Sequence, residues 1–280
     1  MPFDNLPPQA QMSPPAEAYA AGILARSKQV AATTRCQLDL AYDPDYWQKL
    51  DVYLPQDECR DLPVLVFLHG GGWSNGYKEW MGYMAPAFTD LPAIFVSVSY
   101  RLLPAVRFPV PLADTISALS SIHTNIRKYG GDADRLFIGG HSAGAHLAAL
   151  ATLRRDLLEA AGVPPAAIRA CVPVAGSYRF EIGELEARGK YLLEKPEDAP
   201  QASPVSHVEG NRVPFYVTWG ERDLEHVVKN GLPMVEALKR AGTRVEHKMF
   251  AGMDHFDISI DNANPKSEWV SKVREWMRTL

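Results

Sequence analysis

Cysteine is scarce. Cys36, Cys59 and Cys171 are the only three in 280 residues, an odd count with no paired spacing. That excludes a disulfide framework and a cysteine zinc site, and no H-E-x-x-H pattern offers a metal site of another kind. Cys171 lies in an apolar run and reads as a small buried hydrophobe. No basic block exists: 29 Lys and Arg stand against 33 Asp and Glu, a net charge of −4, without the cationic footprint of a nucleic-acid binder. No stretch approaches the ~18–20 consecutive apolar residues that span a bilayer. The first residues have no basic start followed by an apolar core, so no secretory signal is expected. The expected setting is cytoplasmic, with no nucleic acid and no membrane as partner.

What is present suits a folded domain. Hydrophobic residues make up 46% and charged residues 22%, too apolar for wholesale disorder. Prolines 2, 7, 8, 14 and 15 leave the first fifteen residues poorly suited to regular structure. Spaced apolar residues (Tyr19, Ile23, Leu24) then predict a short helix over Ala16–Val30 that packs over something else. Strand signals follow near Cys36–Tyr42 and Lys49–Leu54. Six further strand candidates come next, continuous apolar runs at 63–68 and 93–98 followed by 135–138, 170–174, 213–219 and 245–250. Runs apolar on both alternating faces are what a sheet covered by helices on each side requires. Helical segments are predicted between and after them at about 112–129, 143–159, 226–241 and 266–280. The fold class is therefore α/β, an eight-stranded, mostly parallel sheet with helices on both faces. Residues 1–35 read as an N-terminal arm and helix, and 36–280 as a single domain. Within it, 177–212 is an insert holding a short helix candidate at Glu181–Leu193. The insert is either surface decoration or a cap over a pocket.

One predicted strand runs directly into Gly140-His-Ser142-Ala-Gly144, and a helical pattern starts at once. G-x-S-x-G in this context is a nucleophile elbow. The turn forces the serine into a strained backbone, and the flanking glycines remove side chains that would clash. A serine hydroxyl needs a base. Of the eight histidines, His255 lies just after the last strand, where a loop returns to the sheet's C-terminal edge. His123, His207, His226 and His247 read as surface residues, while His141 and His146 flank the elbow and face away. The base needs a carboxylate. Asp223 follows a buried strand and Gly220 gives it reach; Glu221 and Asp257 compete. His69-Gly-Gly-Gly-Trp73 follows another strand, and the Gly71, Gly72 and Ala143 amides are the candidate oxyanion donors. His69 reads as a structural hydrogen-bonder. A phosphate loop would need a following Lys-Ser/Thr, which is missing. Trp73, Tyr77, Trp80 and Tyr83 either cover the core or wall a pocket, and His141 joins Trp73, Tyr77 and Trp80 as a candidate substrate-binding residue.

These motifs, HGGGW, SYRL at 99–102, GGHSAGAHLAAL at 139–150, GERD at 220–223 and GMDHF at 252–256, resemble the α/β-hydrolase fold. Within it they resemble carboxylesterases of the hormone-sensitive-lipase type and the kynurenine formamidases. HSAGAHLAA is similar to the formamidase group, whereas SYRL, Asp114 and the third glycine of HGGGW follow the esterase form. The resemblance implies a serine hydrolase without cofactor or metal that acts on a small-molecule ester or formamide, with a homodimer admitted. Carboxylesterase is the leading expectation and an arylformamidase cleaving N-formylkynurenine the alternative. A non-catalytic ligand receptor on this scaffold would usually lack one of Ser142, Asp223 and His255.

Overall fold

Strands buried on both faces carry the architecture. In the computed structural model, which describes residues 2–180 and 192–280, all eight expected strands form. They are β1 (Cys36–Ala41), β2 (Lys49–Tyr53), β3 (Leu62–Leu68), β4 (Ile94–Val98), β5 (Gly131–His141), β6 (Ile168–Val174), β7 (Phe215–Arg222) and β8 (Val245–Asp254). Every residue of β3 and β4 is buried, as unbroken apolar runs demand. The strands form one sheet in the order β1-β2-β4-β3-β5-β6-β7-β8. β2 pairs antiparallel with β1 and β4, and every other neighbouring pair is parallel.

Helices cover the sheet. The main ones are α1 (Pro14–Thr33), α2 (Val110–Asn125), α3 (Ala143–Leu153), α4 (Glu225–Arg240), α5 (Asp257–Asp261) and α6 (Glu268–Thr279). The α3 sequence AGAHLAALATL is buried on every side, as expected for a helix apolar all round. α6 instead turns one stripe inward, Trp269, Val270, Val273, Trp276 and Met277, and its N-terminus is capped by Ser267 Oγ accepting from Val270 N at 3.1 Å. Two boundaries differ from the sequence pattern. The segment expected as one helix over 143–159 breaks at Arg154, whose ψ of 63° leaves the helical region, and resumes as Arg155–Ala160. The segment expected over 112–129 tightens into a 3₁₀ turn at Ile126–Tyr129, closed by Gly130 at φ 86°. Most of the helix candidate Glu181–Leu193 lies outside the described residues.

Register brings the chemistry together. Leu68 pairs with Gly140 across β3 and β5, so the glycine run after β3 and the elbow after β5 emerge side by side. Arg222 pairs with Asp254 across β7 and β8, so Asp223 and His255 leave their strands level with each other. All four segments stand at the C-terminal edge of the parallel strands, where open α/β sheets place their ligands. Among the described residues, no helix is long and apolar enough to cross a membrane.

Candidate active site

Ser142 stands between β5 and α3 with φ 55° and ψ −114°, a backbone conformation that side chains disfavour. Sequence makes it accessible. A methyl at Gly140 would overlap the backbone of Gly144, and a methyl at Gly144 would overlap the carbonyls of Leu68 and His69. The strained peptide is tied at both ends: Ser142 N–H donates to Val174 O at 2.9 Å, and Ser142 O accepts from His146 N at 3.1 Å.

His255 Nε2 lies 2.9 Å from Ser142 Oγ, and His255 Nδ1 lies 2.6 Å from Asp223 Oδ1. Asp223 also accepts from Leu224 N at 2.7 Å on Oδ1 and from Gly220 N at 3.2 Å on Oδ2. Burial works to raise its pKa, but the hydrogen bond and charge of His255, helped by these amides, hold it below the usual carboxylate range. The competing carboxylates are engaged elsewhere. Glu221 is exposed and accepts from Gly252 N at 2.8 Å, and Asp257, also exposed, accepts from Asp254 N at 3.1 Å.

Gly71 and Gly72 turn the chain with φ of 107° and 62°. The Gly71 carbonyl accepts from Ser74 N and Asn75 N, and a side chain at Gly71 would overlap the Asn75 backbone. Among the described residues, neither glycine gives its own N–H to a backbone carbonyl. Ala143 opens α3, so its N–H has no intrahelical acceptor. The three residues line one cavity of about 790 Å³ together with Ser142 and His255. His69 has the structural place read for it, with its ring stacked on Tyr100 at 4.3 Å and its Nδ1 2.7 Å from Gly70 O. Burial pushes its pKa down to about 4.

Of the four candidate pocket residues, Trp73, Trp80 and His141 line this cavity and Tyr77 does not. The Tyr77 ring stacks on Trp47 at 5.6 Å and its hydroxyl donates to Pro7 O, which turns it toward the N-terminal segment. Tyr83 is likewise turned inward, donating to Ser259 O at 2.6 Å. His141 was expected to face away from the elbow; instead its ring packs 4.6 Å from that of His255. His146 does stay outside the cavity, bonded to Ala202 O at 2.7 Å and accepting from Trp73 Nε1 at 3.2 Å. His226, read as a surface residue, is half-buried and lines the cavity because α4 begins at its rim.

The largest omission is the N-terminal segment. Ala10, Met12, Ser13 and Tyr19 form one wall. Asn75 clamps Ala10 from both sides, accepting from its N–H at 3.1 Å and donating to its carbonyl at 3.3 Å, while Gly76 N–H donates to Gln9 Oε1. Tyr19 stacks on Phe256 at 4.8 Å and bonds Ser259 Oγ at 2.7 Å. One usable signal was the Tyr19–Ile23 spacing, which marks the inner face of α1; both residues are buried. From the insert, Ser177 reaches the cavity and Phe180 packs on Trp73 at 5.9 Å.

A second cavity of about 730 Å³ lies at the opposite edge of the sheet, among Arg35, Cys59, Leu62, Tyr129 and Gly131. It holds mixed charges but no serine or histidine, so it does not compete as a reaction site. Among the described residues, no group of three or more His, Cys, Asp or Glu side chains could hold a metal ion.

The chain is similar to several esterases. Esterase LipC of Mycobacterium tuberculosis is 32% identical over 244 residues, which cover 79% of this chain and 60% of LipC. Isoprenylcysteine alpha-carbonyl methylesterase ICME of Arabidopsis thaliana is 26% identical over 243 residues, covering 80% of this chain and 57% of that protein. This chain thus spans less than two thirds of the length of these curated relatives. The solved structure of a hyperthermophilic esterase from the archaeon Pyrobaculum calidifontis superposes with a TM-score of 0.76 at 24% identity, over 94% of this chain and 92% of that one, and carries the α/β-hydrolase fold. The BD-FAE family model matches residues 50–169. Residues 112–280, which include the elbow, the acid and the base, match the model of the prolyl oligopeptidase family, and with more than half of its length so matched the chain belongs to that family.

Proposed function

We propose that the protein is a serine carboxylesterase that cleaves small or aryl carboxylic esters through an acyl-enzyme. The observation that carries this reading is the continuous line Asp223–His255–Ser142, with links of 2.6 and 2.9 Å, ending on the cavity beside the Gly71 and Gly72 amides. Ser142 Oγ attacks the ester carbonyl carbon as His255 Nε2 takes its proton. Asp223 keeps the Nδ1–H tautomer and faces the imidazolium that forms. The tetrahedral oxyanion is held by the Gly71, Gly72 and Ala143 N–H groups. His255 then passes its proton to the departing alkoxide, and water repeats the sequence to release the acid. Each proton and electron pair in this route has a place on the chain's own side chains and amides.

The aromatic walls, Trp73, Trp80, Tyr19 and Phe256, support apolar or aryl ester groups as substrate. The esterase names of LipC and ICME support ester hydrolysis over other acyl transfer. A cytoplasmic location belongs to the same proposal, supported by Cys36, Cys59 and Cys171 all being free thiols.

The test compares rates on a p-nitrophenyl ester series and on N-formylkynurenine, with Ser142→Ala and fluorophosphonate labelling as controls. Highest kcat/KM on acetate or butyrate, lost in Ser142→Ala, is the expected result. A formamide preference of about a hundredfold, or ~2.7 kcal/mol, would reassign the enzyme to arylformamidase chemistry. A folded protein that takes no label where a control esterase does would point to a non-catalytic receptor.

A further inference from the structure

Acyl transfer as described leaves the residue before the nucleophile without a task. His141 ends β5 and is 2% exposed. Its Nε2 lies 2.9 Å from the main-chain carbonyl of His255. Its ring faces the His255 ring at 4.6 Å on one side and the Tyr19 ring at 6.0 Å on another. Its Nδ1 lies against Gly70, where a Cβ would stand 3.0 Å from it and 3.3 Å from Ser142 Cβ. One side chain therefore meets the base loop, the start of the oxyanion segment and α1.

Chemistry fixes its protonation. A carbonyl oxygen only accepts, so Nε2 carries the proton. Burial and the neighbouring His255 push the pKa down to about 3, so the ring is neutral and Nδ1 is a bare lone pair, with no partner among the described residues. Such a ring does not exchange protons with substrate. It can hold geometry.

His255 needs to be held. Asp223 fixes one end of its imidazole but not the backbone of the loop that carries it. We propose that His141 is a positioning residue: its Nε2–H···O=C bond to His255 registers the base loop against Ser142, to which His141 is directly peptide-bonded. The separation of base and nucleophile is then set through one residue rather than across the sheet. The same packing accounts for Gly70, because a side chain there would press on the ring. This inference rests on the serine-hydrolase reading.

The test is a pair of substitutions. His141→Phe keeps a ring and removes the donor; His141→Gln keeps a donor that can reach the carbonyl. With p-nitrophenyl acetate, His141→Phe is expected to lose about 100-fold in kcat with KM within about twofold, because small misplacements of a catalytic group cost that much. Fluorophosphonate labelling should slow in parallel while circular dichroism shows a folded chain, and His141→Gln should recover most of the loss. Undiminished kcat in His141→Phe, a loss carried by KM, or a Gln variant no better than Phe overturns the proposal. Should the Phe variant not fold, the unsubstituted protein decides. Its long-range ¹H–¹⁵N spectrum must show His141 protonated on Nε2 at neutral pH, and the opposite tautomer overturns the proposal. A protein that hydrolyses no ester and takes no label sinks the hydrolase reading instead, and the tautomer measurement separates the two failures.

Discussion

Replacing Asp223 by asparagine separates charge from orientation at this site, because the surrounding amides choose how the new side chain sits. Oδ1 of Asp223 receives both Leu224 N–H at 2.7 Å and His255 Nδ1 at 2.6 Å, whereas Oδ2 receives only Gly220 N–H at 3.2 Å. An amide with its oxygen in the Oδ1 position gives up the long bond alone. The flipped amide would set its NH₂ against the Leu224 N–H and against His255. In Asp223→Asn the new side chain should therefore keep its oxygen toward His255, preserve Nδ1–H, and leave Nε2 able to take the Ser142 proton. What is lost is the negative charge opposite the imidazolium. Charges about 4 Å apart at an effective dielectric of ~20 interact by ~4 kcal/mol. The retained neutral hydrogen bond returns ~1 kcal/mol of that. The net loss of ~3 kcal/mol corresponds to roughly 10²- to 10³-fold in kcat. Asp223→Ala, which loses orientation as well, should be at least about tenfold worse. Steady-state kinetics on p-nitrophenyl acetate for the two variants, with ¹⁵N assignment of the His255 tautomer, measures both quantities. Equal losses in the two variants, or a His255 protonated on Nε2 in Asp223→Asn, would refute the reasoning.

Asp51 is fully buried against Lys78 Nζ at 3.0 Å, with Glu79 on the same lysine. Burial raises its pKa to about 6, with Lys78 opposing and Glu79 adding. A folded-state pKa above the unfolded value of ~3.9 gives a contribution that is complete below about pH 4 and lost as pH rises through about 6. The unsubstituted protein should therefore lose stability relative to Asp51→Asn across that interval; urea midpoints at both ends check it, and a relative gain contradicts it. Removing residues 1–13 deletes the Ala10–Ser13 wall and its bonds to Asn75. KM for p-nitrophenyl butyrate should rise about tenfold, the scale of one lost apolar contact surface, with kcat on acetate nearly unchanged. A fall in kcat with constant KM would mean that the arm acts on the chemistry.

The central strands are legible because burial on two faces writes itself into composition, whereas the edge strands β1 and β8 bury at most one residue each. A segment such as Val64–Leu68 has no room for a polar residue, so it could be read without knowing its neighbours. The elbow was legible for a related reason: Gly140 and Gly144 are required by backbone overlap, and that requirement leaves a spacing in the sequence. Asp223 and His255 could be assigned because parallel strands deliver their following loops to one edge, and strand order then limits which carboxylate can reach which histidine. The break at Arg154 has no glycine or proline to announce it, so the helix pattern ran through it.

Partners that are backbone atoms leave no such trace. Proximity in sequence groups Tyr77 with Trp73 and Trp80, yet its hydroxyl donates to Pro7 O, an acceptor that any residue at position 7 would supply. Local geometry turns His141 away, while the atom that holds it is the carbonyl of His255, from a strand-end 114 positions further along. The N-terminal wall follows the same rule: Asn75 grips both backbone groups of Ala10, so the residue type at position 10 carries no information about the contact. Motif spacing thus locates the reacting groups, whose side-chain chemistry is irreplaceable. It is blind to those parts of the pocket wall that are fastened through main-chain atoms, as the Ala10 segment is. Substrate preference can therefore diverge in this fold through changes that leave every catalytic motif intact.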